Sequence, residues 1–286
     1  MAKNYYELCT FEIHSTSNVP FSALEYSLFK FGDEKMAKKF GKLTAEKFIS
    51  TFKDVLLSDK EIIVLPSPYS SIPTASGVMA KYFKQYVNKF LYKNNRKSLL
   101  EAKIHRYKTY SEDYGTLTAE ERLQLISKDT YHFDSEFLND RFCIFLDDIK
   151  ITGSHEKVIK KLIEESNIEG DFCFLYWAAI TNKDIPAQFE NELNYHSIKI
   201  LNDLTTIINK KNYSFNTRTI KFILISNTIL VKEFIEKIER SKLKDIFNLA
   251  ISNNYHLMDE YRENLTIIKE QIKNGNKLRK RTERIY

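Results

Sequence analysis

The stretch from Phe142 to Glu156, FCIFLDDIKITGSHE, decides how the rest of the chain reads. Phe142 to Leu146 form an apolar run suited to a buried strand, and the carboxylates Asp147 and Asp148 follow where that strand should end. Thr152-Gly153-Ser154 then leads into SHEKVIKKLIEES. In that segment Val158, Ile159, Leu162 and Ile163 share one side of a helix, while Lys157, Lys160, Lys161 and Glu165 fall mostly on the other. In an open parallel sheet, ligands sit beyond the carboxyl ends of the strands. Gly153 lets the backbone approach a ligand closely. The free N–H groups of the first helical turn favour a phosphate there, and the hydroxyls of Thr152 and Ser154 add hydrogen bonds. Two carboxylates repel a phosphate; they suit the hydroxyls of the sugar that carries it, or a divalent cation. The stretch reads as a sugar-phosphate site; the alternative is a strand-end Asp pair that caps a turn, with Thr-Gly as ordinary turn chemistry.

Outward from it, other segments repeat the strand–helix alternation. EIIVLPSPYSS gives a strand over Glu61–Leu65 that ends in a stiff Pro-Ser-Pro turn. DFCFLYWAAI (171–180) is apolar throughout, as a strand covered on both faces should be. Helical spacing runs from Ser22 to Asp54, broken at Gly32-Asp33, and again from Thr74 to Phe90. LLEAKIHR (99–106) suggests a further strand and runs into the polar loop KTYSEDYGT; Thr118 and Glu121 then form the pattern of a capping box. The alternation predicts an α/β fold with an open parallel sheet flanked by helices.

After about residue 205 Asn- and Lys-rich segments take over, with helical patterns clearest at Leu257, Tyr261, Leu265, Ile268 and Ile272. Two units are expected, 1–205 and a mostly helical C-terminal extension, 206–286. The apolar stripe of that extension must pack on the core or on another chain. Its tail holds Lys273, Lys277, Arg279, Lys280, Arg281 and Arg284 against the single acid Glu283, which suits a solvated end or a nucleic-acid contact.

At 286 residues, 43% of them hydrophobic and 29% charged, the chain can bury a sizeable core. A net charge of +6 mildly favours polyanionic ligands. No run has the length of a membrane span, no signal core opens the chain, and Cys9, Cys143 and Cys173 read as free thiols, so a cytoplasmic location is expected. A nucleotide-binding Walker pair is excluded. The only Gly-Lys candidate, Gly41-Lys42-Leu43, lacks the following hydroxyl and has Met36 where a glycine belongs.

The motif LDDIKITGSH resembles the phosphoribosyl-pyrophosphate (PRPP) motif of type I phosphoribosyltransferases, with His155 standing where that family carries Thr or Ser. EYSLFKFGDEKMAKKFGKL is similar to the Lys-Tyr-x-Gly-Asp segment of the competence-protein ComF type, and IIVLPSPYSS to its pyrophosphate-holding first loop. AEERLQLI and DFCFLYWAAI fall in the order that group has, so the resemblance spans roughly residues 20 to 205.

The resemblance implies a type I phosphoribosyltransferase-like sheet and transfer of phosphoribosyl from PRPP to an acceptor, with displacement of pyrophosphate. It implies that Asp147 and Asp148 hold the ribose hydroxyls and stabilise the oxocarbenium-like sugar. Lys150, Ile151, Thr152, Gly153, Ser154 and His155 would surround the ribose and its 5-phosphate. Ser67, Tyr69 and Ser70, with Arg106 and Lys108 from a loop between Arg106 and Gly115, would hold pyrophosphate. Mg²⁺ would ride on PRPP near Asp147 and Asp148. Some ComF-like relatives occur in bacterial defence loci, retrons included. The second function class is therefore a regulatory or effector subunit of such a nucleoprotein complex, with nucleic acid or protein partners. Homo-oligomer formation is left open; no membrane partner is expected.

Overall fold

The computed structural model describes residues 3–107, 118, 120–121 and 131–282, with side chains as far as residue 274. Strand β2 (Ile62–Pro66) is buried along its whole length, as are most residues of β6 (Arg141–Lys150) and β7 (Gly170–Ile180). Their side chains alternate between two layers because successive residues of a strand point to opposite faces. Val64, Ile144, Leu146, Leu175 and Trp177 face one layer; Leu65, Cys143, Phe145, Phe174 and Tyr176 face the other. The first layer is covered by α1 (Ala23–Lys30), α2 (Glu34–Thr51) and α4 (Ala75–Lys93). There Trp177 stacks on Phe40, with ring centroids 4.0 Å apart. The second layer is covered by α6 (Ser154–Glu165), through Ile159 and Ile163. Burial pushes the Cys143 and Cys173 thiols up to about 12, which fits core thiols.

The sheet has the order β1-β7-β6-β2-β3, with β1 at Asn4–Ile13 and β3 at Leu100–Glu101, and every pairing is parallel. From β2 the chain moves outward to β3, and from β6 it moves the opposite way to β7. Neighbours whose connections part in this way open a crevice at their carboxyl ends. The sequence reading singled out no strand at the N-terminus. β1 is an edge strand whose residues are mostly exposed or half-exposed, so it carries little apolar pattern. The strand expected over 99–106 is two short pieces, β3 and β4 (His105–Arg106); β4 pairs antiparallel with β5 (Tyr131–His132). A one-turn helix, α5 (Ser135–Leu138), leads into β6.

The capping pair is formed: Thr118 N–H donates to Glu121 Oε2 at 2.8 Å, and Glu121 N–H donates to Thr118 Oγ1 at 3.2 Å. The rest of that helix, and the loop holding Lys108, lie outside the described residues, as do the side chains of the tail beyond residue 274.

Beyond β7 the chain is helical: α7 (Phe189–Asn194), α8 (Leu201–Ile208), α9 (Thr217–Ile225), α10 (Thr228–Lys237), α11 (Arg240–Ser252) and α12 (Asp259–Thr282). Their apolar faces form a separate core that also takes in Phe31 and Ile72 from the first part of the chain. Tyr261, Leu265 and Ile268 are buried in it, so the apolar stripe packs on this chain's own helices; Leu257 is exposed, in a single turn whose Tyr255 is buried.

Candidate functional site

A cavity of about 520 Å³ opens at the carboxyl ends of β2 and β6, where the sheet connections part. Its floor is the stretch that opened the sequence reading. β6 runs two residues past the acidic pair, to Lys150, so Asp147 and Asp148 are strand residues and not part of the turn. Asp147 points toward the turn. Its Oδ1 accepts from Ser67 Oγ and from the Asp148 N–H at 2.8 Å, and its Oδ2 lies 3.5 Å from His155 Nδ1. Burial alone would raise this carboxyl. The His155 hydrogen bond and charge, with side-chain hydrogen bonds from Ser67 and Asp148, outweigh burial and hold it well below the usual carboxylate range.

Asp148 does not share the partial exposure of Asp147; it is 6% exposed. The reason is α1. Lys30 Nζ pairs with Asp148 Oδ2, and Tyr26 Oη donates to the same oxygen at 3.0 Å. Lys30, itself buried, also lies 3.8 Å from Glu190 of α7. Burial pushes the Asp148 carboxyl up to about 6. The Lys30 charge works against that, and the charges of Asp147 and Glu190 add to it.

Past β6, Gly153 takes a left-handed conformation (φ 69°) and caps α6 without a side-chain bond to the first helical turn. A left-handed residue is what lets the chain turn from strand to helix here, and glycine adopts it freely. Thr152 and Ser154 hydroxyls are 2.7 Å apart at the rim of this turn. Glu156, in the first turn and buried, would repel an anion. Lys150 at 2.7 Å, Lys160 at 2.6 Å and Tyr176 Oη at 3.1 Å all donate to it, so two cations offset one acid.

All of Asp147, Asp148, Lys150, Ile151, Thr152, Gly153, Ser154 and His155 line the cavity, and so do Ser67 and Arg106. Tyr69 and Ser70 do not. Their backbone is drawn away by neighbours: Tyr69 O accepts from Arg106 N–H at 3.2 Å, and Lys103 Nζ sits 4.1 Å from the Tyr69 ring centroid and bonds Ser70 O. The next two N–H groups, of Ser71 and Ile72, donate to Asn253 Oδ1 at 3.0 and 3.2 Å. Asn253 is buried at the end of α11 and donates in turn to Tyr255 Oη.

Asn253→Ala should strand two backbone donors and loosen the loop that carries Ser67. A loss of about 1–3 kcal/mol in chemical unfolding is expected, with a smaller loss for Asn253→Asp, which keeps the acceptor. Equal stability of all three proteins would show that Asn253 does not hold this loop.

Sequence reasoning missed the residues that reach the cavity from a distance. These are Lys30, Glu190 and Tyr195, and Thr217, Arg218, Lys221, Phe222 and Ile225 of α9. α9, which lies past the expected boundary at residue 205, forms one wall of the cavity. Lys30 did carry a signal: it opens Lys30-Phe31-Gly32-Asp33 within the segment similar to the Lys-Tyr-x-Gly-Asp stretch, although no role was drawn from it.

A family model described as PRTase ComF-like matches residues 4–268. The chain belongs to the ComF-like phosphoribosyltransferase family. The match runs beyond the resemblance seen in the sequence and takes in the helices that wall the cavity in this ComF-like chain. Among solved structures, a hypoxanthine-guanine phosphoribosyltransferase from Bacillus anthracis str. 'Ames Ancestor', with HEPES in its active site, is similar at 11% identity. Its TM-score is 0.35, over 55% of this chain and 76% of that one. A hypoxanthine phosphoribosyltransferase from Trypanosoma cruzi, complexed with the product IMP, is similar at 11% identity and a TM-score of 0.34, over 54% and 80%. An adenine phosphoribosyltransferase gives 13% identity and a TM-score of 0.30, over 52% and 70%. No curated protein matches the chain. Among the described residues no helix is long and apolar enough to cross a membrane.

Proposed function

We propose that this cavity binds PRPP and that the chain transfers its phosphoribosyl group to an acceptor, with pyrophosphate leaving. The observation that carries this reading is the junction of β6 and α6. There a left-handed Gly153 and an uncapped helix start adjoin two strand carboxylates in one cavity. The 5-phosphate lies on the N–H groups of the first turn, with the Thr152 and Ser154 hydroxyls beside it. Lys150 and Lys160 keep Glu156 from opposing it. Asp147, kept ionised and aimed by Ser67 and His155, accepts from a ribose hydroxyl, and Asp148 accepts from the other.

Transfer forms a bond from the acceptor nucleophile to the anomeric carbon and breaks the bond from that carbon to pyrophosphate, which leaves with the electron pair. The fixed negative charge of the Asp pair stabilises the positive charge that develops on the sugar. Ser67 and Arg106 face the leaving group. Among the described residues no cluster of three or more His, Cys, Asp or Glu is placed to hold a metal. Asp147 and Asp148 line the cavity as hard oxygen donors, which fits a Mg²⁺ ion that would arrive on PRPP beside them. When bound, that ion offsets the charge of the diphosphate.

Calorimetry with PRPP and Mg²⁺ tests the reading. Asp147→Asn should weaken binding by about tenfold or more, the loss of a bond to a charged group. Unchanged affinity would remove the ribose assignment. The raised Asp148 gives a pH dependence with a definite sign. Lowering pH through about 6 protonates it and removes an acceptor for the sugar, so PRPP affinity should fall on the acid side. A profile that stays flat between pH 8 and pH 5 would show that Asp148 does not touch the ligand.

A further inference from the structure

The cavity has an outer half that the PRPP reading leaves unassigned, and it is built from the C-terminal helices. Along α9, Thr217, Arg218, Lys221, Phe222 and Ile225 line the cavity, while Ile220, Ile223 and Leu224 are fully buried on the other side. The spacing of the first set is one helical face, so the helix turns its apolar face to the core and a cationic, aromatic face to the ligand space. The aromatic part is fixed in place. Tyr195 and Phe222 are half-buried, with ring centroids 5.9 Å apart, and fully buried Phe31 packs edge-on against both at 5.5 and 5.0 Å. The Arg218 guanidinium lies 5.5 Å from the Tyr195 ring centroid, and its Nη1 donates to Tyr195 Oη at 3.4 Å.

The placement of α9 against the inner half is also fixed. Asn216 Oδ1 caps the helix at Thr219 N–H (3.0 Å), and its Nδ2 donates to Lys30 O at 3.0 Å. Thr217 Oγ1 donates to Ile72 O at 2.8 Å. The charge of this half differs from that of the floor. Two cations, Arg218 and Lys221, stand against one acid, Glu190. Arginine presents a planar fork that fits a carboxylate and stacks on aromatic rings. At about 520 Å³ the whole cavity is of small-molecule size.

We propose that the acceptor is a planar ring bearing an acidic group, seated against Tyr195 and Phe222 with its acid on Arg218 and Lys221. This inference rests on reading the inner half as the PRPP site. Arg218 is assigned to the acceptor and not to pyrophosphate because it is held against the ring and hydroxyl of Tyr195, in the aromatic half of the cavity. Arg106, which faces the leaving group, is held beside Tyr69 instead.

The test uses the full chain and two pairs of rings that differ in acidity, nicotinate with nicotinamide and orotate with uracil. Each is titrated calorimetrically with and without PRPP and Mg²⁺. At least one acid should bind about tenfold or more tightly than its neutral partner, the worth of a charge-assisted bond. Arg218→Gln and Lys221→Met should each shrink that preference while PRPP affinity moves less than about twofold. Thermal melts identify any variant that fails to fold, and the other variant then carries the comparison. Equal affinity within both pairs, absence of binding by both acids, or a preference that survives both substitutions would overturn the proposal. So would Arg218→Gln weakening PRPP in place of the ring acid, since Arg218 would then serve the diphosphate. The PRPP titration of wild type reports separately on the inner half: an acid preference without PRPP binding keeps the ring-acid seat on Arg218 and Lys221 but overturns its role as acceptor, together with the earlier reading.

Discussion

Lys30→Met should destabilise the protein by about 3–5 kcal/mol at pH 8, the usual cost of removing one partner from a buried ion pair. Lys30 is the only cation within pairing distance of Asp148 among the described residues, and the groups that face it are Asp148, Glu190 and Tyr26. Without it Asp148 loses its ion-pair partner while still facing the charge of Glu190. The cost depends on pH, and its sign follows from the raised Asp148. A carboxyl whose folded pKa lies above its unfolded value weakens the fold as pH rises through the interval between them. In the wild type that interval runs from the ordinary value of 3.8 up to about 6. Removing the Lys30 charge, which lowers the Asp148 pKa, extends the interval upward. Wild type and variant should therefore differ less at pH 5, where Asp148 is largely protonated in both, than at pH 8. Urea unfolding at the two pH values measures this. A cost that is the same at both, or absent at pH 8, would show that the Lys30–Asp148 pair is not what stabilises this corner. PRPP affinity at neutral pH should fall as well, because protonated Asp148 has lost an acceptor.

Gly153→Val should leave a folded protein that no longer binds ribose 5-phosphate measurably. At φ 69° a β-branched residue is strained, by about 1–3 kcal/mol. A Cβ at this position would stand 3.2 Å from Lys150 Cε, close enough that Lys150 must shift. Lys150 in turn bridges Glu7 at 2.6 Å and Glu156 at 2.7 Å, so the disturbance spreads to the acid that the cradle must keep neutralised. The larger effect is on the ligand. On the proposed reading, the side chain would stand between the phosphate and the first-turn N–H groups. Gly153→Ala should show the same direction with a smaller loss. Retention of ribose 5-phosphate affinity by the Val variant, at a melting temperature near wild type, would place the phosphate elsewhere.

Much of the fold was legible because the central strands and their helices carry strong patterns. Phe142 to Leu146 and the apolar run 171–180 are strands, and the break at Gly32-Asp33 does separate two helices. β1 was not legible, since an edge strand of this kind mixes polar and half-exposed residues and looks like a coil. Within the site, local order was readable and distant supply was not. Residues 147 to 155 form one contiguous motif, and the structure keeps them on one cavity wall. Lys30, Glu190 and Arg218 sit on separate helices, where each charge looks like an ordinary solvated one until packing brings them together. Tyr69 and Ser70 show the converse. A polar turn after a strand reads as a ligand loop, but these two anchor the segment 103–106.

The hold of Asn216, Thr217 and Asn253 on Lys30 and the loop at 71–73 also bears on synthesis. Cavity-lining residues run from Lys30 to Ile225, so the ribosome releases the floor well before the wall. At about 5–20 residues per second, that interval is on the order of ten seconds. During it Phe31 and Ile72 lack the helices that bury them, and the cavity lacks its α9 wall. A nascent chain is thus exposed to aggregation at those two residues, and its cavity stays incomplete until the last helices dock.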